Sequence, residues 1–291
     1  EDAVEVTVSG PGDDVIDTGG GDDLIIWSSG SGNDVIDGGA DWDEVVFTLD
    51  PTKTNTLTVT ADANGNVVVT GAEGDFTVTL DGVEDISFIG GTDNDVIVVG
   101  DLSTTDLADE TLFFDGTAGN DSWDSSNDST RLVAQGGAGN DTIKGGDGND
   151  KIEGGSGTNH LYGNGGNDVF GEQDNSAANY MYGGDGNDTY YLNSSWSRVN
   201  EEQDEGTDTV ISKILNGTTT LTYNLNENVE NLTLVGTYAN DASGNSLNNI
   251  IQGEGSISYT LRGGDGDDTL KGNNQDDVLD GEVGADTMIG Y

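Results

Sequence analysis

The chain lacks cysteine and has only 2 prolines and 1 histidine in its 291 residues. Without cysteine it forms neither disulfides nor thiolate metal sites, and a single histidine argues against a zinc or histidine-triad enzyme. With 2 prolines beside 47 glycines, a collagen-like repeat is excluded. No apolar run approaches the roughly 18 residues that a helix needs to cross a bilayer.

Positive charge is also scarce. Asp and Glu number 56 against 8 Lys and Arg, so the net charge is −48. Such a polyanion repels nucleic acid and anionic membranes, and cations become the expected partners, metal ions first. With 32% hydrophobic residues, this charge is typical of disordered chains, because little apolar burial is available to offset the entropy of folding. A repeat that shares a core, or bound cations, would allow the chain to fold.

In place of long apolar runs the sequence contains a nine-residue repeat. From Gly136 it reads GGAGNDTIK, GGDGNDKIE, GGSGTNHLY and GNGGNDVFG, and copies of varying quality recur from Ser9 to Ile289. Position six is Asp in most copies, and position eight is nearly always a large apolar residue. The exceptions at position six are Asn159, Asn179, Asn249 and Tyr259.

Each copy predicts a glycine loop followed by a very short strand. Positions one to six form the loop, since glycine tolerates the φ angles of tight turns, and position eight points inward from the strand. Two copies complete a coil of about eighteen residues, so the predicted fold is all-β, a right-handed parallel β-roll (β-solenoid). Copies n and n+2 then stack about 4.8 Å apart. The expected core is a single file, namely Ile143, Ile152, Leu161, Phe170, Met181 and Tyr190, with Leu270, Leu279 and Met288.

Departures from the period divide the chain into six predicted segments. They are a first repeat block (1–46), a β-rich insertion (47–89), turns with isolated repeats (90–135), the main repeat block (136–191), spacer turns (192–243) and a C-terminal repeat block (244–291). The insertion alternates apolar and polar residues around a turn at Asn64–Gly65, and we expect it to pack beside or cap the first coil. The spacer should contain strands at Thr209–Ile211, Thr220–Leu225 and Asn231–Val235. Helix should be scarce.

The aspartates at position six predict a divalent cation between successive loops. In a stack of coils they would lie about 5 Å apart, where like charges repel strongly. Calcium accepts six to eight oxygen ligands, and the loops expose carbonyls beside the carboxylates. Magnesium keeps its waters, and transition metals prefer nitrogen or sulfur. The alternative is a solvated acidic face of turn-forming residues, which does not explain the nine-residue register.

Three of these copies, GGAGNDTIK, GGDGNDKIE and GGDGDDTLK, resemble the calcium-binding repeats of the repeats-in-toxin (RTX) family. The segment Val199–Gln252 is also similar to spacer turns of secreted proteins of this family. The resemblance implies several Ca²⁺ ions, each between two loops one turn apart. One loop would give carbonyls at positions two and four, the next at one and three, and both the side chain at position six.

Carried onto this chain, the resemblance implies six pairs of loops, identified by their position-six residues. They are Asp14 with Asp34, Asp23 with Asp43, Asp141 with Asn159, Asp150 with Asp168, Asp168 with Asp188, and Asp268 with Asp286. The implied ligands are Gly10, Gly12, Asp14, Gly19, Gly21, Asp23, Asp34, Asp43, Asp95, Asp121, Gly137, Gly139, Asp141, Gly146, Gly148, Asp150, Gly154, Ser156, Asn159, Gly163, Asn164, Gly165, Gly166, Asp168, Gly183, Asp185, Asp188, Gly264, Gly266, Asp268, Asp277, Gly281, Val283 and Asp286. In the first block Ser29 and Ser31 would join Asp34. Sites that use the neutral Asn159 or Asn179 should be weaker.

No HExxH or GxSxG motif is present, so we expect no enzyme activity in this chain. The favoured hypothesis is a secreted, calcium-stiffened structural rod of an extracellular matrix, surface layer or filament. The first alternative is the C-terminal calcium-binding and secretion module of a larger adhesin, toxin or enzyme. A second is polysaccharide binding by an outward aromatic stripe made of His160, Tyr162, Tyr180 and Tyr182. The resemblance implies type I secretion and an extracellular location.

The rods are also expected to associate with one another. The repeats run to Gly290–Tyr291, and Val4, Val6 and Val8 alternate as a strand at the other end. A final coil without a cap leaves backbone groups unpaired, so end-to-end stacking into a homo-oligomeric filament is predicted.

Overall fold

The computed structural model describes residues 3–30, 32–171, 178–213, 221–236 and 240–291. Nearly all of its elements are short strands. In chain order they are β1 Glu5–Val8, β2 Val15–Asp17, β3 Leu24–Ser28, β4 Asp34–Asp37, β5 Glu44–Thr48, β6 Thr56–Ala61, β7 Val67–Gly71, β8 Thr77–Asp81, β9 Asp85–Ile89, β10 Val96–Val99, β11 Thr111–Asp115, β12 Ser122–Asp124, β13 Arg131–Gln135, β14 Thr142–Lys144, β15 Lys151–Glu153, β16 Thr158–Gly165, β17 Val169–Gly171, β18 Ala178–Asp185, β19 Thr189–Leu192, β20 Arg198–Asn200, β21 Thr209–Ser212, β22 Leu221–Asn224, β23 Asn231–Gly236, β24 Asn240–Ser243, β25 Ile250–Gly255, β26 Tyr259–Asp265, β27 Thr269–Lys271, β28 Val278–Val283 and β29 Thr287–Ile289.

Helical structure in the described ranges consists of two single 3₁₀ turns, Ala72–Gly74 and Asp106–Asp109. Neither is long enough to span a membrane, and no longer apolar helix occurs in those ranges. The scarcity of helix follows from the repeat, which places glycine-rich loops every few residues and leaves no room for helical turns.

The strands of the described residues stack into a β-solenoid. One parallel sheet has the order β1-β3-β5-β9-β11-β13-β15-β17-β19-β21-β23-β25-β27-β29. Facing it are a sheet of order β2-β4-β8-β7-β6-β10-β12-β14-β16-β18-β20 and a shorter one of order β22-β24-β26-β28. Successive repeats therefore alternate between opposite sheets, and copies n and n+2 are hydrogen-bonded. The predicted all-β solenoid is confirmed.

The β-rich insertion lies within the second sheet, between the N-terminal strands β2 and β4 and the strands that follow from β10 onward. Strand β8 pairs in parallel with β4, β7 pairs antiparallel with β8 and β6, and β6 pairs in parallel with β10. The predicted turn at Asn64–Gly65 is present, and Asp62 Oδ1 accepts hydrogen bonds there from the backbone N–H groups of Asn64 and Asn66. Because both outer strands run parallel to the coils, the insertion continues the stack.

The width of the core changes along the solenoid. In the main repeat block each copy of the repeat buries one large apolar side chain completely, and these are the predicted Ile143, Ile152, Leu161, Phe170, Met181 and Tyr190. In the N-terminal half several strands bury two, such as Ile25 and Trp27 in β3 or Val45 and Phe47 in β5. The prediction of a single file is wrong there, because strands of four to six residues have two inward positions. The predicted core residue Met288 is 53% exposed, since β29 has a neighbouring strand on one side only.

The spacer turns continue the same stack. Strands β21 and β23 lie between β19 and β25 in the first sheet, which confirms the strands predicted at Thr209–Ile211 and Asn231–Val235. The third predicted strand appears as β22, and residue 220 lies outside the described residues.

Candidate metal centre

The side chains at position six form two rows along the solenoid, one beside each sheet. The first row precedes β15, β17, β19 and β21 and consists of Asp150, Asp168, Asp188 and Asp208. The second row precedes β10, β12, β14, β16 and β18 and consists of Asp95, Asp121, Asp141, Asn159 and Asn179. In the first row each Oδ1 accepts a hydrogen bond of 2.7–2.8 Å from a backbone N–H one turn earlier. Four members of the second row do the same at 2.7–2.9 Å.

These rows accommodate turns of different length. Successive members are 18 residues apart between Asp150 and Asp168, 20 between Asp168 and Asp188, and 26 between Asp95 and Asp121. The hydrogen bond that joins each pair is nevertheless 2.7 Å long. Extra residues therefore leave the coil as loops and do not change the stacking.

The structure brings all six predicted loop pairs into register. The strands that follow each pair are hydrogen-bonded neighbours, namely β2 with β4, β3 with β5, β14 with β16, β15 with β17, β17 with β19, and β27 with β29. Asp95 and Asp121, which belong to isolated repeats in the sequence, stack in the second row. Of the residues placed opposite the first loop, Ser31 lies outside the described residues. Calcium ligation by these residues remains a prediction.

Members of the two rows are buried. Asp150, Asp168 and Asp188 are each 1% exposed, and Asn159 and Asn179 are 0% exposed. This burial contradicts the alternative of a solvated acidic face. Three predicted ligands in the outermost described coils differ, since Asp14 is exposed and Asp277 and Asp286 are partly exposed.

Many of the buried carboxylates have one oxygen without a hydrogen-bond partner. These atoms are the Oδ2 atoms of Asp23, Asp43, Asp121, Asp141, Asp168, Asp188 and Asp268. Leaving a buried polar atom unpaired costs about 1–3 kcal/mol, and more for a charged group. A bound cation would satisfy the whole series, so the residues fit calcium. In four predicted ligands Oδ2 has another partner. Asp34 Oδ2 accepts from Trp27 Nε1 at 2.7 Å, and the Oδ2 atoms of Asp95, Asp150 and Asp277 accept from backbone N–H groups of their own loops at 2.6–3.1 Å.

The glycine at position one provides space for these oxygens. A Cβ on Gly163 would overlap Asp168 Oδ2 and would lie 2.7 Å from the carbonyl oxygen of Gly183, one turn later. The backbone φ of Gly163 is not positive, so space and not conformational freedom requires glycine here. A carboxylate oxygen and a carbonyl oxygen therefore both lie close to the position of that Cβ. Calcium accepts both types of oxygen as ligands.

Asparagines interrupt this arrangement in the second row. Asn159 Nδ2 donates a hydrogen bond of 2.9 Å to Asn179 Oδ1. The same nitrogen lies 2.6 Å from the position of a Cβ on Gly154, where aspartate repeats place Oδ2. An N–H donor does not ligate a cation. The geometry therefore supports the prediction that sites using these two residues are weak.

Sequence reasoning missed the continuation of the first row into the spacer. Asp208 accepts from the N–H of Asp188, and the N–H of Asp208 in turn donates to Glu230 Oε2 at 2.8 Å. The segment GTDTV around Asp208 matches positions four to eight of the repeat, so a search for partial copies would have found it. Glu201 has no such signal. Its carboxylate lies within 4.8 Å of those of Asp188 and Asp208.

Burial raises the pKa values of aspartate carboxyl groups in both rows. Loss of hydration raises the pKa of Asp168 to about 8, and the charges of Asp150 and Asp188 contribute in the same direction. Burial likewise raises the pKa values of Asp121, Asp150 and Asp188 to about 7. Without a cation, the folded chain therefore holds these groups partly protonated near neutral pH.

Acid should partly replace calcium in stabilising the fold. A carboxyl whose pKa is raised on folding stabilises the folded state fully below its unfolded pKa, near 4, and this contribution is lost as the pH rises through the folded pKa values of about 7 to 8. We expect the calcium-free chain to have more β-structure at pH 5.5 than at pH 8.5 by circular dichroism. High NaCl at pH 8.5 is the control, because it screens surface charge without protonating buried groups. Equal spectra at both pH values would contradict this expectation.

The outward aromatic residues stack as the sequence predicts. The rings of His160 and Tyr180 lie 5.0 Å apart at 8°, and those of Tyr162 and Tyr182 lie 4.7 Å apart at 9°. In each pair the facing ring surfaces cover each other, so these surfaces are closed to a sugar ring. The stacking favours stiffening of the sheet over the polysaccharide-binding alternative.

A parallel β-solenoid with stacked glycine loops and rows of buried carboxylates is an acidic β-roll. The family model of the RTX calcium-binding nonapeptide repeat (4 copies) matches residues 8–26, 28–48, 135–170, 173–194 and 260–290. This match confirms the resemblance seen in the sequence. The structure adds Asp95 and Asp121 to the stack, although they lie outside the matched stretches. Among the curated proteins, none matches the chain.

Proposed function

We propose that this chain is a secreted calcium-binding structural protein that folds on calcium into a rigid β-solenoid rod. The observation that carries the proposal is the series of buried carboxylate oxygens without partners, repeated turn after turn. Folding places these negative groups within the molecule, where neither lysine nor arginine is available in sufficient number. Divalent cations would satisfy them and cross-link successive coils.

One turn of the main block illustrates the proposed ligand set. Asp150 and Asp168 lie one turn apart, with the carbonyl groups of the intervening glycine loops beside them. The carbonyls of Gly146 and Gly148 from one loop and of Gly163 and Gly165 from the next would complete the ligands. When bound, the ion supplies positive charge to this oxygen set and cross-links the coils.

The finer part of the proposal is the biological setting. RTX repeats fit export in an unfolded state by type I secretion, followed by folding outside the cell, where calcium is plentiful. The rod would then serve in a matrix, a surface layer or a filament. A solenoid edge that the mature protein leaves open can pair with an edge of another copy, and such a head-to-tail contact propagates as a fibre.

The second candidate is a calcium-dependent module of a larger secreted adhesin, toxin or enzyme. The local contacts of a solenoid favour it, because each coil touches only its neighbours and the stack can be joined to another domain. The mass of the mature secreted protein distinguishes the two candidates. A mass far above 30.1 kDa supports the module.

Electron microscopy of the mature protein tests the assembly. We expect filaments in millimolar calcium that dissolve on adding chelator, because calcium would both fold the coils and close the junctions. Isolated monomers at high calcium and high protein concentration would contradict the filament and leave the module as the better description.

A further inference from the structure

The main repeat block is followed by a longer loop, residues 201–208, which begins with a carboxylate where the preceding loop begins with glycine. The pairing of Tyr182 with Asn200 puts Glu201 one turn after Gly183, at position one of the next loop. In the preceding turn Gly183 itself occupies position one of its loop, and its carbonyl oxygen lies 2.7 Å from the position of a Cβ on Gly163. At Gly183 the corresponding point is next to the hydroxyl oxygen of Tyr190 and lies 2.5 Å from Glu201 Oε1. A carboxylate oxygen has replaced a carbonyl oxygen.

Three carboxylates converge at this point. Oxygens of Asp188, Glu201 and Asp208 all lie within 4.8 Å of one another. Asp188 and Asp208 are each 1% exposed, and both Asp188 Oδ2 and Glu201 Oε2 are buried without a hydrogen-bond partner. The ion pairs of lysine and arginine in the described residues lie elsewhere. The negative charge of the cluster is therefore not balanced by a neighbouring basic side chain.

The surroundings suit a bound ion. Glu201 Oε1 accepts a hydrogen bond from the hydroxyl of Tyr190, whose ring is fully buried and stacks on Phe170 at 5.0 Å. This partner fixes the orientation of the Glu201 carboxylate, as outer hydrogen bonds commonly do for metal ligands. A cavity of about 210 Å³ borders the cluster at Glu201 and is also lined by Gly183 and Gly184.

We propose that Asp188, Glu201 and Asp208 form a three-carboxylate calcium site, which binds more tightly than the two-carboxylate sites within the block. The inference rests on the proposed function, since it assumes that the repeat loops bind calcium. Affinity in oxygen-ligand calcium sites rises with the number of charged ligands. The site therefore retains its ion when calcium is low and holds the end of the main block closed. Three negative charges also favour a trivalent lanthanide.

Terbium exchange provides the test. Calcium-loaded protein is given less than one equivalent of Tb³⁺, and terbium emission is excited through tyrosine. We expect the wild-type chain to give strong emission, because Tyr190 touches the preferred site. The substitution Glu201→Gln keeps the size of the side chain and removes one charge. It should lower the calcium concentration that displaces terbium by about tenfold or more.

Three further variants complete the experiment. Glu202→Gln removes the same charge from the adjacent, exposed residue and should behave as wild type. Tyr190→Phe removes both the sensitising phenol and the hydrogen bond to Glu201, so emission should fall sharply under tyrosine excitation and less calcium should displace terbium. Circular dichroism at saturating calcium verifies that each variant is folded, and Glu201→Asp, which retains the charge, should bind more tightly than Glu201→Gln.

The outcomes separate the two proposals. If Glu201→Gln and Glu202→Gln displace terbium at the same calcium concentration, the three-carboxylate site is wrong. Undiminished emission from Tyr190→Phe would also overturn it, because the preferred ion would then lie elsewhere. If the wild-type chain binds neither calcium nor terbium, the proposed function itself fails.

Discussion

In calcium-free buffer at pH 8 the chain should be largely unfolded, and millimolar calcium should convert it to a β-rich solenoid. The net charge of −48 opposes compaction, and folding buries carboxylates whose second oxygens have no partner. The core of the main block has one large apolar side chain per copy of the repeat, which is too little apolar burial to offset these costs. The free energy of calcium binding then becomes free energy of folding. Circular dichroism during a calcium titration measures the conversion.

Magnesium provides the control for this first prediction. It carries the same charge and screens the surface equally, but it retains its waters and demands tighter geometry than the loops provide. Magnesium at the same concentration should therefore leave the chain mostly unfolded. Identical β spectra in chelator and in calcium would refute the dependence of the fold on calcium.

Removing the charge of Asp168 should weaken two calcium sites together. Asp168 lies between Asp150 and Asp188 in the first row, and its Oδ2 is buried without a partner. In Asp168→Asn the amide oxygen can still accept from the N–H of Asp150, so the hydrogen-bonded row is kept while the charge is lost. We expect the calcium midpoint of folding to rise by about tenfold or more, because two ions lose a charged ligand.

Two further variants make the test of Asp168 specific. Asp147→Asn removes an exposed carboxylate from the loop of the preceding turn and should change the midpoint little. Asn159→Asp should act in the opposite direction, since it replaces the amide nitrogen that donates to Asn179 by a carboxylate oxygen. If calorimetric titration gives Asp168→Asn the stoichiometry and midpoint of wild type, Asp168 is not a shared ligand.

Much of the architecture can be predicted from the repeat, because a fixed period determines which loops stack. The pairing of Asp150 with Asp168 follows directly from counting two copies. The insertion could not be placed in this way, since alternation at Val67–Gly71 identifies a strand but not its neighbours. Asp95 and Asp121 are separated in sequence by a longer turn, and only the stacked structure brings them together.

The acidic cluster shows a second reason why sequence reasoning was incomplete. Asp208 carries a partial copy of the repeat, but Glu201 stands where the repeat has glycine and so breaks the pattern. Its importance depends on side-chain geometry across two turns, which includes the contact with Tyr190. Departures from a repeat contain information that the period itself does not.

The constant hydrogen bonds between turns of 18, 20 and 26 residues have a consequence for how such a molecule evolves. A duplication that copies one whole coil adds a compatible layer, because its two faces match the layers above and below. An insertion within a loop leaves those faces unchanged and alters only the surface of the rod. The length of the rod and the shape of its surface can therefore vary separately, and lineages can change one while they retain the other.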